Sequence, residues 1–155
     1  MTSWIPFDKE KEMVGLIGCG RMGKCMLQSM LDGGFKTACY DKFPAASESA
    51  AALGAEKTET PKELAEKTSV IILSLPGPLQ LEEVISGEAG LIEGLTANHI
   101  VVDTSTVDPQ TTRGIASRLS EKGATYLDCP ILGRPSATGK WMLPTGGSVE
   151  ALERA

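Results

Sequence analysis

A short apolar strand that runs into a glycine-spaced turn and then into a helix constrains this chain more than any other feature. Met13-Val14-Gly15-Leu16-Ile17 reads as a buried strand. Gly18-Cys19-Gly20-Arg21-Met22-Gly23 follows at once. Met22, Cys25, Met26, Met30 and Leu31 then recur at three- and four-residue spacing, as along one helical face, and Gly33-Gly34 end the helix. The glycines have separable reasons: Gly18 permits the tight turn, Gly20 lets a pyrophosphate approach the backbone, and Gly23 lets helix and strand pack closely. The helix N-terminus offers unpaired N–H groups and a partial positive charge to phosphates. In this strand–turn–helix setting, G-x-G-x-x-G predicts a dinucleotide cradle.

The alternation continues along the chain. Thr37 to Tyr40 reads as a strand, and an Ala-rich helix runs from Pro44 to about Leu53. Thr60-Pro61-Lys62-Glu63 opens a helix, with Thr at the N-cap, Pro at the first position and Glu three residues after the cap. Ser69 to Leu75 is a continuous apolar run, as in a strand covered on both faces, and Pro76-Gly77-Pro78 stops it. A helix through Glu82 to Ile85 follows, then a strand from His99 to Asp103. A helix opens on Asp108-Pro109 and ends near Lys122-Gly123, and Ala124 to Asp128 is the next strand. A looser stretch carries Pro130, Gly133, Pro135, Gly139, Pro144 and Gly146-Gly147, and Ser148 starts a last helix. Strand and helix alternating in this way predict an α/β fold, doubly wound, with a mainly parallel sheet and helices on both faces.

Asp41 closes the second strand at about the 20-residue spacing at which the fingerprint places an acidic residue. A carboxylate there accepts hydrogen bonds from ribose hydroxyls and repels a 2′-phosphate, which favours NAD over NADP. Lys42 beside it softens that preference, so NADP stays open. Gly18-x-x-x-x-Gly23-Lys24 also approaches a nucleotide-triphosphate loop. Cys25 then stands where that motif needs a hydroxyl for Mg²⁺, and helical periodicity begins inside the would-be loop. Ligands in such sheets lie outside the carboxyl ends of the strands. Three strand ends are specialised: Leu75-Pro76-Gly77-Pro78 as an apolar ledge; Asp103-Thr104-Ser105-Thr106, whose hydroxyls bond a ligand or cap the next helix; and Asp128-Cys129-Pro130-Ile131-Leu132-Gly133-Arg134-Pro135, where Gly133 permits close approach and Arg134 clamps an anion or lies on the surface.

Composition narrows the classes. The formal net charge is −5, against the basic face of a nucleic-acid-binding domain. No apolar run reaches the roughly 20 residues of a membrane span. One His and four cysteines without a C-x-x-C pair argue against a zinc site. Cys19, Cys25, Cys39 and Cys129 read instead as reduced thiols of a cytoplasmic protein, most of them buried. Residues 1–12 form an N-terminal extension without the apolar stretch of a signal peptide.

The segments Met13 to Gly23 (MVGLIGCGRMG), Tyr40 to Pro44 (YDKFP), Leu73 to Pro76 (LSLP), Val102 to Pro109 (VDTSTVDP) and Tyr126 to Gly147 together resemble the β-hydroxyacid dehydrogenases. This family includes 3-hydroxyisobutyrate and 6-phosphogluconate dehydrogenases. The resemblance implies a Rossmann-like NAD(P)-binding domain over residues 13–155, truncated before an all-helical domain for substrate binding and oligomerisation. It implies hydride transfer between nicotinamide and a small hydroxyacid, in a homo-oligomeric full-length enzyme. Gly18, Cys19, Gly20, Arg21, Met22 and Gly23 would hold the pyrophosphate and Asp41, with Lys42, the adenosine ribose. Leu75, Pro76 and Ser105 would border the nicotinamide end. Where the family has D-x-P-x-S-G-G for the substrate carboxylate, this chain reads Leu132-Gly133-Arg134, which implies a different acid or another anchoring mode. The family's catalytic lysine falls beyond Ala155, and neither Lys122 nor Lys140 matches its motif, so the chain alone is expected to be inactive. A stand-alone NAD(H)-sensing module is the alternative; the last helix, Ala151 to Ala155, stops without a cap and favours the enzyme part.

Overall fold

A computed structural model of the chain describes residues 6–155. Trp4 and Ile5 of the N-terminal extension lie outside the described residues. Six strands form one parallel sheet in the order β3-β2-β1-β4-β5-β6. They are β1 (Met13–Ile17), β2 (Lys36–Tyr40), β3 (Glu56–Lys57), β4 (Val70–Leu73), β5 (Ile100–Asp103) and β6 (Thr125–Asp128). The helices are α1 (Arg21–Asp32), α2 (Pro44–Ala51), α3 (Pro61–Lys67), α4 (Pro78–Ser86), α5 (Leu91–Gly94), α6 (Pro109–Glu121) and α7 (Val149–Arg154). The two-residue β3 and the one-turn α5 have no apolar periodicity to announce them; each is held by its neighbours, β3 by β2 and α5 by α3.

Strand alternation sends successive side chains to opposite faces, and each face has its own core. Ile17, Ile71, Leu73, Val101 and Tyr126 meet Leu64 of α3, Leu81, Val84 and Ile85 of α4, and Ile115 and Leu119 of α6. On the other face Leu16 and Cys39 pack with Met26 and Leu27 of α1 and Ala50 of α2. Ala151 of α7 covers Ile100 and Leu127. Both faces are therefore covered, which is why the strands read as unbroken apolar runs.

Caps fix where the helices begin. Thr60 accepts a hydrogen bond from the Glu63 amide at 3.1 Å, while the Glu63 side chain accepts from the Glu59 amide at 2.9 Å, one residue outside the usual reciprocal box. Asp108 accepts from both Gln110 and Thr111 amides and so caps α6 itself. That leaves the Thr104 and Ser105 hydroxyls for other partners. His99, the one histidine, is buried at the start of β5, with its Nε2 2.9 Å from the Ala65 carbonyl of α3.

The sequence order reverses between β1 and β4: connections from β1 run through β2 to β3 on one side and from β4 through β5 to β6 on the other. The carboxyl ends of these two strands form the switch point where such sheets take ligands.

Ile71 sits at the centre of β4 and is fully buried. Ile71→Ala is expected to lower unfolding stability by about 2–5 kcal/mol, because the lost methylenes leave a cavity between sheet and helices. Urea denaturation checks this; a cost below about 1 kcal/mol would mean that this interior collapses freely.

Candidate dinucleotide-binding site

The turn after β1 is built by backbone contact. Gly18 has a φ of +97°, in the left-handed region that favours glycine, and a Cβ there would lie 2.2 Å from the Ser74 carbonyl oxygen. A Cβ on Gly23 would lie 1.8 Å from the Gly18 oxygen. Only glycine at both places lets α1 start this close to β1 and the end of β4. Gly20 is different. It has ordinary backbone angles, and a Cβ built on it meets nothing within 4 Å. It is the N-cap of α1 and provides no capping side chain, so it offers the first-turn N–H groups no side-chain acceptor. Anions are favoured at such a terminus, and a side chain at residue 20 would fill the space beside it, so these residues could hold a pyrophosphate. α1 begins at Arg21, so the helix starts inside the loop that a nucleotide-triphosphate motif would need.

Asp41 fastens the turn to β2. Its Oδ2 accepts the Cys19 amide at 2.7 Å and its Oδ1 accepts the Phe43 amide at 2.9 Å. The carboxylate is thus oriented before any ligand arrives, with lone pairs left for hydroxyl donors. Cys19 is fully buried behind the turn. The neighbouring Cys39 thiol, burial and the Asp41 charge together push its thiol well above the usual range, so it is no thiolate nucleophile. All four cysteines are free, and Cys19, Cys39 and Cys129 are buried.

A groove of about 470 Å³ opens at this switch point. Of the candidate site residues, Gly18, Gly20, Asp41, Lys42, Leu75 and Pro76 line it. Tyr40, Phe43, Pro61, Gln80, Glu83, Val84 and Glu88 line it too. The sequence reading gives none of these seven a place at the site. The one signal for the α4 residues is that Leu81, Val84 and Ile85 take the core side of that helix, which leaves Gln80 and Glu83 on the flank. Phe43 is 71% exposed at the rim. Of the other candidates, Gly23 is buried against Gly18, Met22 packs half-buried with α1 and its neighbours, and Arg21 is exposed at the first helical position.

Ser105 is buried one layer behind the ledge. Its Oγ accepts the Leu75 amide at 3.1 Å, and its own amide donates to Asp103 Oδ1 at 2.9 Å. Asp103 is fully buried and also accepts the Tyr126 hydroxyl at 2.5 Å. Burial, the largest influence, raises the Asp103 carboxyl above its ordinary value, and the bonds from Ser105 and Tyr126 offset part of that rise. Burial and the Asp103 charge push the Tyr126 phenol far up, and burial raises Asp128, which pairs with Asp103 across β5 and β6.

Leu132, Gly133 and Arg134 are exposed and do not appear on the groove wall. Their segment folds on itself: Leu132 and Met142 exchange backbone hydrogen bonds, and the Trp141 Nε1 donates to the Arg134 carbonyl at 2.8 Å. A Cβ on Gly133 would lie 2.2 Å from the Trp141 ring. Within this structure, the close approach that Gly133 permits is by an indole of the same chain.

Over residues 13–155 the chain matches the family described as the NAD binding domain of 6-phosphogluconate dehydrogenase. It is 32% identical to the mitochondrial 3-hydroxyisobutyrate dehydrogenase of Mus musculus across 139 residues, which are 88% of this chain and 42% of that protein. It is 33% identical to the 3-sulfolactaldehyde reductase of Escherichia coli across 145 residues, 92% of this chain and 48% of that protein. A solved 3-hydroxyisobutyrate dehydrogenase of Mycobacterium tuberculosis superposes with a TM-score of 0.85 at 23% identity, over 93% of this chain and 49% of that one; the likeness is one of fold. The chain spans about half the length of the curated relatives it matches.

The raised Asp103 carboxyl has a consequence for stability. A folded-state value above the unfolded one gives stabilisation that is complete below the unfolded value and is lost as pH rises through the folded value. Asp103→Asn keeps the acceptor for Ser105 and cannot ionise. The variant is therefore expected to gain on the natural chain, in urea midpoint, as pH is raised from about 4 to about 8. Parallel profiles for the two proteins would mean that Asp103 carries no such burden.

Proposed function

We propose a function for this chain from one premise: it belongs to the family of NAD binding domains of 6-phosphogluconate dehydrogenase, whose members include hydroxyacid dehydrogenases. In the complete protein, residues 13–155 form the cofactor half of an NAD-dependent dehydrogenase acting on a small hydroxyacid. The nicotinamide supplies hydride transfer when bound, and the protein supplies position and surroundings. In this reading Gly18, Gly20 and the first turn of α1, with Arg21 at its rim, hold the pyrophosphate. Asp41 orients the adenosine ribose. Leu75 and Pro76 wall the groove towards the nicotinamide, with Ser105 bracing Leu75 from behind. Cys19, Met22 and Gly23 shape the turn rather than touch the ligand.

The observation that carries the reading is Gly20. Gly18 and Gly23 are required by the fold itself, but residue 20 has room for a side chain and ordinary backbone angles. A bare position there serves something that comes from outside the chain. Arg134, after β6, brings anion-binding chemistry to the substrate wall. Leu132, Met142, Leu143, Val149 and Leu152 are exposed apolar side chains in the same C-terminal stretch, which supports a covering partner surface in the complete protein. Three buried free thiols support a reducing compartment such as the cytoplasm. None of the described residues is placed as the proton donor for a carbonyl, so the isolated chain is expected to bind NADH and turn over no hydroxyacid.

Two substitutions test the site. Gly20→Val is expected to leave the unfolding midpoint unchanged and to weaken NADH by more than about tenfold, because the side chain enters the phosphate cradle. Asp41→Ala is expected to weaken NADH by roughly tenfold, through loss of charge-assisted ribose bonds and of the anchor on Cys19. Fluorescence titration of NADH reads both. Undiminished binding in Gly20→Val would sink the cradle assignment.

A further inference from the structure

Lys42 stands at the place where sites of this fold put a cation when they accept a 2′-phosphate. It follows Asp41 directly, and it lines the groove. By position alone it would pull the site towards NADP. Its side chain does not face the ribose corner freely, however. Lys42 Nζ is bonded to Glu83 Oε1 at 2.5 Å, across the groove from β2 to α4. Both side chains are more than half exposed, so the pair contributes little to holding the fold together. Its importance is where it leaves the charge.

Among the described residues lining the groove, Lys42 is the one cation against the carboxylates Asp41, Glu83 and Glu88. We propose that Glu83 determines coenzyme choice at this site: it holds Lys42 on the α4 wall, away from the ribose 2′ position, and so directs the groove to NAD. The inference rests on the dinucleotide reading above and adds to it a residue from a different wall. Asp41 excludes a 2′-phosphate from the β2 side. That alone is a weak barrier if an adjacent lysine, a compact point charge on a flexible stem, turns in to meet the phosphate. Glu83 removes this escape by occupying the ammonium. A 2′-phosphorylated dinucleotide then has to draw Lys42 off a carboxylate and leave Glu83 unpaired beside a dianion.

The sequence itself gives no hint of this pairing, because residues 42 and 83 lie on separate elements. α4 presents Glu83 on the flank that its buried Leu81, Val84 and Ile85 leave over. The Tyr40 phenol, at the end of β2, is raised by burial first and then by the charges of Glu83 and Asp41, in keeping with a negative field at this corner.

The test measures NADH and NADPH dissociation constants of the whole chain by fluorescence titration, for the natural protein, Glu83→Ala, Lys42→Met and the double variant. Alanine is a good helix former, and circular dichroism melting confirms that the variants remain folded. Glu83→Ala is expected to lower the ratio of the NADPH constant to the NADH constant about three- to tenfold at low salt, where charges interact over a Debye length of ~10 Å or more. In the Lys42→Met background the same change is expected to leave the ratio unmoved. An unaltered ratio in Glu83→Ala overturns the inference while the dinucleotide reading stands. A fall of equal size in both backgrounds also overturns it, since Glu83 would then act by direct repulsion and not through Lys42. If the natural chain binds no NADH, the dinucleotide reading itself fails, and this inference with it.

Discussion

The Gly18 carbonyl oxygen lies where residue 23 would need its Cβ, 1.8 Å away. That approach sets the distance between α1 and the carboxyl end of β1, and much else follows from it. With α1 started at Arg21, its Met26 and Leu27 reach the Leu16 face of the sheet. Gly18, turned to positive φ, lies against the Ser74 carbonyl, which draws the end of β4 beside the turn. The switch point is thereby closed on one side by backbone and left open on the other, above Gly20. A larger residue at 18 or 23 would act on fold and site together; one at 20 acts on the site alone.

Two layers of bonding stiffen the rim around that opening. Asp41 accepts amides from the β1 turn and from the residue leading into α2, so β1 and β2 are joined through one carboxylate at their ends. On the other flank, Tyr126 on β6 reaches Asp103 on β5, Asp103 holds the Ser105 amide, and Ser105 holds the Leu75 amide after β4. Three successive strand ends are linked through side chains in the region where ladder hydrogen bonds stop. Buried polar chains of this kind are costly unless every member is partnered, and here the links are direct. The groove therefore has walls positioned by the protein before a ligand binds, which lowers the ordering cost of binding.

The fold was largely legible because its signals are local. The apolar strands, the glycine spacing and the Thr60 and Asp108 caps each lie within a short window, and the structure places them at the expected boundaries to within a few residues. What escaped was set by contacts between distant segments. β3 is two residues long and exists by pairing with Ala38 and Cys39. The Asp103–Tyr126 bond joins positions 23 apart and depends on strand register. Gly133 read as a place for a ligand, whereas Trp141, eight positions on, presses against it. Asp41 is a candidate that the sequence offers, since the fingerprint fixes its distance from the glycines; the place of Glu83 on the groove has no such signal, since no spacing rule connects a helix flank to the turn after another strand.

In the proposed reading, Asp41 and Glu83 give a shared fold its selectivity in different ways. Asp41 is bound into the backbone of the turn, so changing it disturbs the cradle as well as the charge. The Glu83 side chain pairs instead with the Lys42 side chain, at the exposed rim. Charge at such a position can be altered with little effect on stability, because exposed pairs contribute little to folding while still shaping the field that a dianionic group meets. Selectivity of the site for one dinucleotide then depends on both walls: a carboxylate fixed by the fold on β2, and a second one on α4 that governs where the neighbouring cation points.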